Sequence, residues 1–173
     1  MGIFKLIGEL SVVYGMEVFM KSISTIFMSY LVNSAASVRN MGVEKAGEMG
    51  KAFGSGWVIE SFIPQVVESF NVEQQGFNYK MCAVESLAAI IPALDSAQID
   101  QHIIPTFLKA ADDKIPNVAF CLCRVVKTHK ASFDAQTFAQ KLAPKLRDLT
   151  QRGDKDVRYY ATLALQNESS TPM

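Results

Sequence analysis

Three segments of this chain decide its fold: Ile63-Pro64-Gln65-Val66, Ile104-Pro105-Thr106-Phe107 and Ala143-Pro144-Lys145-Leu146. The prolines are 41 and 39 residues apart, and each is followed by a polar break and a second apolar stretch. Two of these second stretches begin alike, as Asn117-Val118-Ala119-Phe120 and Asp156-Val157-Arg158-Tyr159, and they are again 39 residues apart. The chain is therefore built from a repeating unit of two helices.

A unit of two helices in about 40 residues is typical of HEAT and armadillo repeats, whereas tetratricopeptide and ankyrin repeats are shorter. The period predicts an all-α fold, a HEAT-repeat α-solenoid of about four helix pairs plus one extra N-terminal helix. Stacked repeats present an extended surface instead of an enclosed pocket. The pattern therefore favours partner binding over catalysis.

The second helices support this alignment because their apolar residues recur at positions 0, 3, 4, 7 and 8, which is one face of a helix. In the last two repeats these residues are Val157, Tyr160, Ala161, Ala164 and Leu165, and Val118, Cys121, Leu122, Val125 and Val126. In the first two they are Val38, Met41, Gly42, Lys45 and Ala46, and Tyr79, Cys82, Ala83, Ser86 and Leu87. Lys45 is the misfit, which the repeat accommodates if the aliphatic stem is buried and the ammonium reaches water.

The repeats are predicted at about 17–54, 55–94, 96–130 and 133–167, within one solenoid spanning 1–167. A lone helix is predicted at about 2–15 and a disordered tail at 168–173. Each proline predicts a bend in its helix, because it removes one hydrogen bond and clashes with the preceding turn. The first repeat has Thr25 at that place, which predicts a straighter helix.

Composition excludes several classes of protein. The 17 basic and 17 acidic residues are interspersed and give no net charge, so no nucleic acid partner is expected. The three cysteines lie inside predicted helices, which indicates reduced thiols in a cytoplasmic or nuclear protein. Charges interrupt the apolar N-terminal stretch, so no membrane partner is expected either.

Residues suited to catalysis are few, and we predict neither a catalytic residue, a metal site nor a cofactor. His102 and His129 lie in different repeats without metal-ligand spacing around them, and they are interpreted as helix-surface or helix-end residues. Cys121 belongs to the core column. The acidic pairs Asp112/Asp113 and Asp154/Asp156 precede second helices, where carboxylates cap free N–H groups.

A polar column offers a candidate site at the turn inside each repeat. Arg39, Lys80 and Arg158 each follow the first apolar anchor of a second helix, and the third repeat has Ala119 there. Two interpretations stay open. Each cation could bond an aspartate of the neighbouring repeat and hold the stack together, or the aligned cations could bind a partner.

The chain also resembles the C-terminal HEAT repeats of the scaffold (A, regulatory) subunit of type 2A serine/threonine protein phosphatases. The matching segments occur in collinear order over nearly the whole chain: Phe53-Gly54-Ser55-Gly56-Trp57, Phe62-Ile63-Pro64-Gln65-Val66, Ile104-Pro105-Thr106-Phe107-Leu108-Lys109, Asn117-Val118-Ala119-Phe120 and Pro144-Lys145-Leu146-Arg147-Asp148-Leu149-Thr150 through Asp156-Val157-Arg158-Tyr159. Single HEAT motifs are degenerate, so the ordered set carries the resemblance.

The resemblance implies a non-catalytic scaffold whose intra-repeat turns bind the phosphatase catalytic subunit. By position, the implied partner-binding residues are Arg39, Phe77, Lys80, Asn117 and Arg158. A regulatory subunit would be a partner only if the natural protein were longer, because repeats nearer the N-terminus receive it in that family. The alternatives are a HEAT-repeat adaptor for an unrelated cargo, in transport or on chromosomes, and a small hydrolase.

The N-terminal stretch predicts self-association. Apolar residues surround nearly the whole circumference of the helix expected at 2–15, and solenoids close such ends with polar capping repeats. An uncovered apolar end is expected either to associate with a second copy or to be disordered.

Overall fold

The computed structural model describes residues 13–72 and 76–166, which are mostly α-helical and contain no β-strand. The all-α prediction is thus confirmed. The described residues form two compact units that divide between Asp95 and Ser96, where the sequence predicts the boundary between the second and third repeats. The helix predicted at 2–15 and the tail at 168–173 lie almost wholly outside the described residues, and the predicted self-association stays a prediction.

The described part of unit 1 contains five helices. Helix α1 covers residues 13–22, followed by α2 (Ser24–Leu31), α3 (Ala36–Trp57), a π-helical turn (Val58–Phe62), α4 (Ile63–Asn71), α5 (Phe77–Ala89) and a 3-10 turn (Ile91–Ala93). Helix α2 packs on α3 and α4 packs on α5, and the two pairs meet where α3 contacts α5. This is the arrangement of two stacked helical repeats.

Aromatic side chains fill the centre of unit 1. The ring of Phe19 lies within 6 Å of the rings of Phe27, Phe53 and Trp57, and the Trp57 ring stacks on Phe62 at 5.3 Å. Phe19, Phe27 and Phe62 are almost completely buried. Edge-to-face and offset arrangements of this kind add stability beyond the area they bury.

The described part of unit 2 contains six helices. They are α6 (Ser96–His102), α7 (Ile104–Ala111), α8 (Pro116–Thr128), α9 (Ala135–Thr137), α10 (Ala143–Leu149) and α11 (Lys155–Leu165), with a 3-10 turn at Lys130–Ser132 and a π-helical turn at Phe138–Leu142. Helices α7 and α10 pack on α8 and α11, respectively, and α8 packs along α11. Unit 2 therefore also consists of two helix pairs.

The first helix of every repeat is interrupted at the same place. Pro64, Pro105 and Pro144 each occupy the first turn of a helix that follows a break, and two of the breaks are π-helical turns. The expectation of a straighter helix in the first repeat is wrong, because the chain is also interrupted at Ile23, with φ −119°. There Ser24 Oγ donates to the carbonyl of Met20 at 2.7 Å, a side-chain bond that bends helices without proline.

Two glycines, Gly15 within α1 and Gly54 within α3, interrupt their helices near the predicted repeat ends. Gly15 and Gly54 are 39 residues apart and have φ values of 80° and 79°, a backbone region that other residues adopt only with strain. The cadence thus extends back to residue 15. At Gly54 the helical geometry of α3 is broken, three residues before the helix ends at Trp57. The later repeats instead end in the two 3-10 turns.

The predicted apolar columns form the core. The five residues of the third repeat are all buried, and in the fourth repeat Val157, Ala161 and Ala164 are buried. The side chain of Lys45 is 18% exposed, and its ammonium pairs with the more exposed Glu48 at 2.8 Å. Hydrophobic burial at these positions is the main driving force for the fold.

Candidate protein-binding surface at the intra-repeat turns

Arg39 closes the turn between the first two paired helices. Its Nη1 donates to the carbonyl oxygens of Asn33 and Ser34, each at 2.8 Å. The Asn33 side chain accepts from the backbone N–H of Ala35 at 2.9 Å, which fixes the start of α3. The turn therefore has a defined shape, held by one charged side chain and one amide.

Arg158 makes the same arrangement three repeats later. Its Nη1 donates to the carbonyl oxygens of Arg152 and Gly153, at 2.9 and 2.7 Å. Asp154 caps α11 by accepting from the backbone N–H groups of Asp156 and Val157, both at 3.0 Å. The predicted capping role of this acidic pair is confirmed for Asp154, because its carboxylate satisfies N–H groups that lack helical partners.

The first of the two interpretations of the polar column is wrong for both arginines. Among residues 13–72 and 76–166, neither Arg39 nor Arg158 pairs with an aspartate, and both guanidinium groups bond carbonyls of their own turn. A planar guanidinium with several fixed donors suits this task, since it can serve two carbonyl oxygens at once. Both arginines therefore hold the shape of their turns, and Arg158 is also exposed to solvent.

Inter-repeat bonding exists in unit 2, but other residues provide it. Arg152 donates to the carbonyls of Asp113 and Ala111 in the preceding turn, at 2.6 and 3.0 Å. Lys141 pairs with Asp100 and Lys145 with Asp112, both at 2.6 Å. The bonded residues are separated by 33 to 41 positions, close to one repeat. This spacing is the sequence signal from which these inter-repeat bonds could have been predicted.

Phe77 and Lys80 lie at the start of α5 in unit 1. Phe77 is its first residue and is half-buried, and the Lys80 ammonium lies 5.7 Å from the centre of the Phe70 ring. Cations over aromatic faces are attracted by the ring quadrupole. Arg39 lies near the start of α3, the helix that packs on α5. The three predicted residues of unit 1 thus lie around one pair of repeats.

Asn117 is the exposed predicted residue of the third turn. It occupies the second position of α8 and makes no side-chain bond with the described residues. Ala119, the column position of this repeat, is completely buried and cannot reach a partner. Asp113 is bonded to the Ile115 N–H at 2.9 Å, so it braces the turn rather than capping α8 directly, while Asp112 binds Lys145.

Groups that could support chemistry are buried or isolated. Burial raises the pKa of the Cys82 thiol to about 11 and that of Cys123 to about 12, and Cys121 lies in the core as predicted. His102 ends α6 and His129 follows the end of α8, where burial lowers its pKa. Within the part of the chain that the structure describes, no three His, Cys, Asp or Glu side chains are grouped to hold a metal ion.

None of the helices in the described ranges combines the length and the apolar character that crossing a membrane requires. The exposed intra-repeat turns are the candidate functional surface in each unit. Unit 1 presents Arg39, Phe77 and Lys80, and unit 2 presents Asn117 and Arg158. Three further residues lie at the turns of unit 2 and were not predicted as site residues: Ile115, Arg152 and Tyr159.

Comparisons with known proteins agree with the helical-repeat fold. The chain is 24% identical over 120 residues to the A-type regulatory subunit of protein phosphatase PP2A from Saccharomyces cerevisiae, a match that covers 65% of this chain and 19% of that protein. It superimposes on the crystal structure of Cex1p with a TM-score of 0.67 and 14% identity, covering 94% of this chain and 34% of that one. No protein-family model matches the chain. The chain is thus a helical-repeat protein that spans about a fifth of the length of its phosphatase relative.

Proposed function

We propose that this chain is a non-catalytic scaffold that binds the catalytic subunit of a type 2A serine/threonine protein phosphatase through its intra-repeat turns. The observation that carries the proposal is the shared construction of the turns at Arg39 and Arg158. Each turn is held by a guanidinium bonded to two backbone carbonyls. Rigid, pre-formed turns lower the entropic cost of binding a partner.

Two further features support the proposal. The relative in yeast is a phosphatase regulatory subunit by name, and the segments that resemble that family include residues at the two turns of unit 2. The exposed turn residues are of types that suit a polar protein interface, with Arg158 next to the exposed ring of Tyr159. Arginine and tyrosine are enriched among residues that dominate binding energy. The fold offers exposed turns in both units.

The proposal is tested by mixing the full chain with the purified phosphatase catalytic subunit, with complex formation followed by analytical ultracentrifugation. We expect a one-to-one complex, and we expect that the chain by itself hydrolyses no phosphorylated peptide. If the folded chain forms no complex, the scaffold proposal is contradicted. The alternative, an adaptor for an unrelated protein cargo, would then remain. Hydrolysis of a phosphorylated peptide by the purified chain alone would contradict the non-catalytic assignment.

A further inference from the structure

The outward face of helices α8 and α11 carries an unusual combination of side chains. On α8, Phe120, Arg124 and Lys127 follow one another at spacings of four and three residues, so they share one stripe of the helix. On α11, Lys155 and Tyr159 share a stripe in the same way. We call the surface formed by Phe120, Arg124, Lys127, Lys155, Tyr159 and Tyr160 the basic-aromatic face.

The rings of the two helices are in contact, and Lys127 and Lys155 lie on opposite sides of this row of rings along the helices. Phe120 meets Tyr160 edge to face with centroids 4.9 Å apart, and Tyr160 meets Tyr159 in the same manner at 5.5 Å. Tyr159 is 60% exposed, although aromatic side chains of this size usually gain from burial. The aromatic row therefore ends in a ring whose surface is open to solvent.

The charges of these helices are unbalanced. Helices α8 and α11 together contain Arg124, Lys127, Lys155 and Arg158 but only one acidic residue, Asp156. The side chains of Lys127 and Lys155 are exposed and form no hydrogen bond or ion pair with the described residues. In contrast, Lys141 and Lys145 of the same unit are each paired with an aspartate. Lys127 and Lys155 are therefore available to a partner, and Lys155 lies one helical turn before the exposed ring of Tyr159.

We propose that the basic-aromatic face binds an acidic segment of a partner protein, with an apolar side chain of that segment against Tyr159 and its carboxylates against Lys127 and Lys155. Charge complementarity fixes the sign of the partner, and the exposed ring supplies the apolar anchor around which binding energy concentrates. This site goes beyond the turns, because its residues lie along the helices and not in the connections between them.

An acidic protein segment fits this face better than a nucleic acid. Nucleic acid binding draws its affinity from many phosphate contacts, whereas this chain has equal numbers of basic and acidic residues and the face carries three cations. A protein segment needs only a few carboxylates beside one apolar side chain. Two exposed lysines and the exposed ring of Tyr159 meet that requirement.

The test is fluorescence anisotropy of the full chain with a short labelled peptide in which Glu alternates with Phe and Leu. A peptide with Lys in place of Glu and a single-stranded RNA of similar length form the other arms. We expect saturable binding of the acidic peptide, weakened about tenfold by the double change Lys127→Glu with Lys155→Glu and severalfold by Tyr159→Ala. The matched double change Lys21→Glu with Lys51→Glu, at exposed lysines of unit 1, should leave affinity unchanged.

Each other outcome overturns the proposal. No binding of the acidic peptide, equal weakening by the unit 1 control, or tighter binding of RNA or of the basic peptide would each do so. Thermal midpoints from circular dichroism confirm that every variant is folded, and Tyr159→Phe provides a second variant that keeps the ring. Binding of the catalytic subunit is measured separately, so the two proposals can fail independently.

Discussion

The two units share one repeat architecture and hold it together by different means. In unit 1, the helices meet through an aromatic cluster around Phe19 and Trp57. In unit 2, Arg152 reaches two carbonyls of the preceding turn, and the ammonium of Lys130 donates to the carbonyls of Ala164, Leu165 and Gln166 at 2.9 to 3.1 Å. Periodic apolar columns thus specify the fold, and the bonds between repeats are free to vary.

The difference has energetic consequences. Buried rings contribute through area removed from water and packing, which salt does not screen. Charged bonds to carbonyls are worth about 1.5 to 3 kcal/mol when partly buried, and exposed ion pairs are worth about 0 to 1 kcal/mol. The comparison therefore predicts a large, salt-independent sensitivity in unit 1 and smaller, partly salt-dependent sensitivities in unit 2.

The largest effect is expected from Trp57→Ala. The indole is 5% exposed and contacts three aromatic rings, and its Nε1 lies 3.3 Å from the Met20 sulfur. Removing it should lower the free energy of unfolding by about 3 to 5 kcal/mol, because a cavity remains. Urea denaturation measures the change, and Trp57→Phe, which keeps a ring, is the milder control. A loss below about 1 kcal/mol would mean that the cluster is not the core of unit 1.

Arg152→Ala should have the next largest effect. The substitution leaves the carbonyls of Ala111 and Asp113 without their charged donor and should cost about 1.5 to 3 kcal/mol of unfolding free energy. Chemical denaturation of this variant is compared with Arg147→Ala, which removes an exposed guanidinium of the same unit. Equal stability of the two variants would contradict the role of Arg152 in joining the repeats.

Asp100→Asn should produce a smaller and salt-dependent change. Its pair with Lys141 is partly exposed on both sides, so we expect a loss of about 0 to 1 kcal/mol. Because salt screens exposed charges, the thermal midpoints of wild type and variant should converge in high salt. Asp148→Asn removes an exposed carboxylate that forms no ion pair with the described residues of unit 2, and it should leave the midpoint unchanged. A loss that persists in high salt would show that Asp100 acts by packing.

The smallest effect concerns pH and His129. Burial lowers the pKa of this imidazole below its ordinary value of 6.5, so the unfolded chain binds the proton more readily than the folded one. Stability should therefore fall as pH decreases through 6.5 towards the folded pKa, and it should be unaffected above that window. The thermal midpoint should change less with pH across this range in His129→Gln than in wild type. His102→Gln, which also removes one imidazole, is the matched control. An identical pH response in His129→Gln would exclude the effect.

The sequence predicted the repeat and much of the core, because periodic apolar positions such as Val118 and Val157 are set by burial, which depends on residue type and spacing. It mispredicted the first helix of repeat one, since the break at Ile23 arises from a Ser24 hydroxyl bond that leaves no distinct apolar pattern. The roles of Arg39 and Arg158 could not be assigned either. A guanidinium beside a turn can reach a carbonyl, an aspartate or a partner, and only the backbone geometry selects among them.

Binding at the turns is tested most directly by titrating the phosphatase catalytic subunit into three forms of the chain by isothermal calorimetry: wild type, Asn117→Glu and Gln140→Glu. Asn117 is exposed at the start of α8, where an acidic residue favours the helix, so the substitution should preserve the thermal midpoint. Gln140 is exposed away from the turns and receives the same change of charge. We predict that wild type and Gln140→Glu bind alike and that Asn117→Glu binds about tenfold more weakly. Absence of binding by wild type, or equal affinity of all three forms, would contradict the turn-binding scaffold.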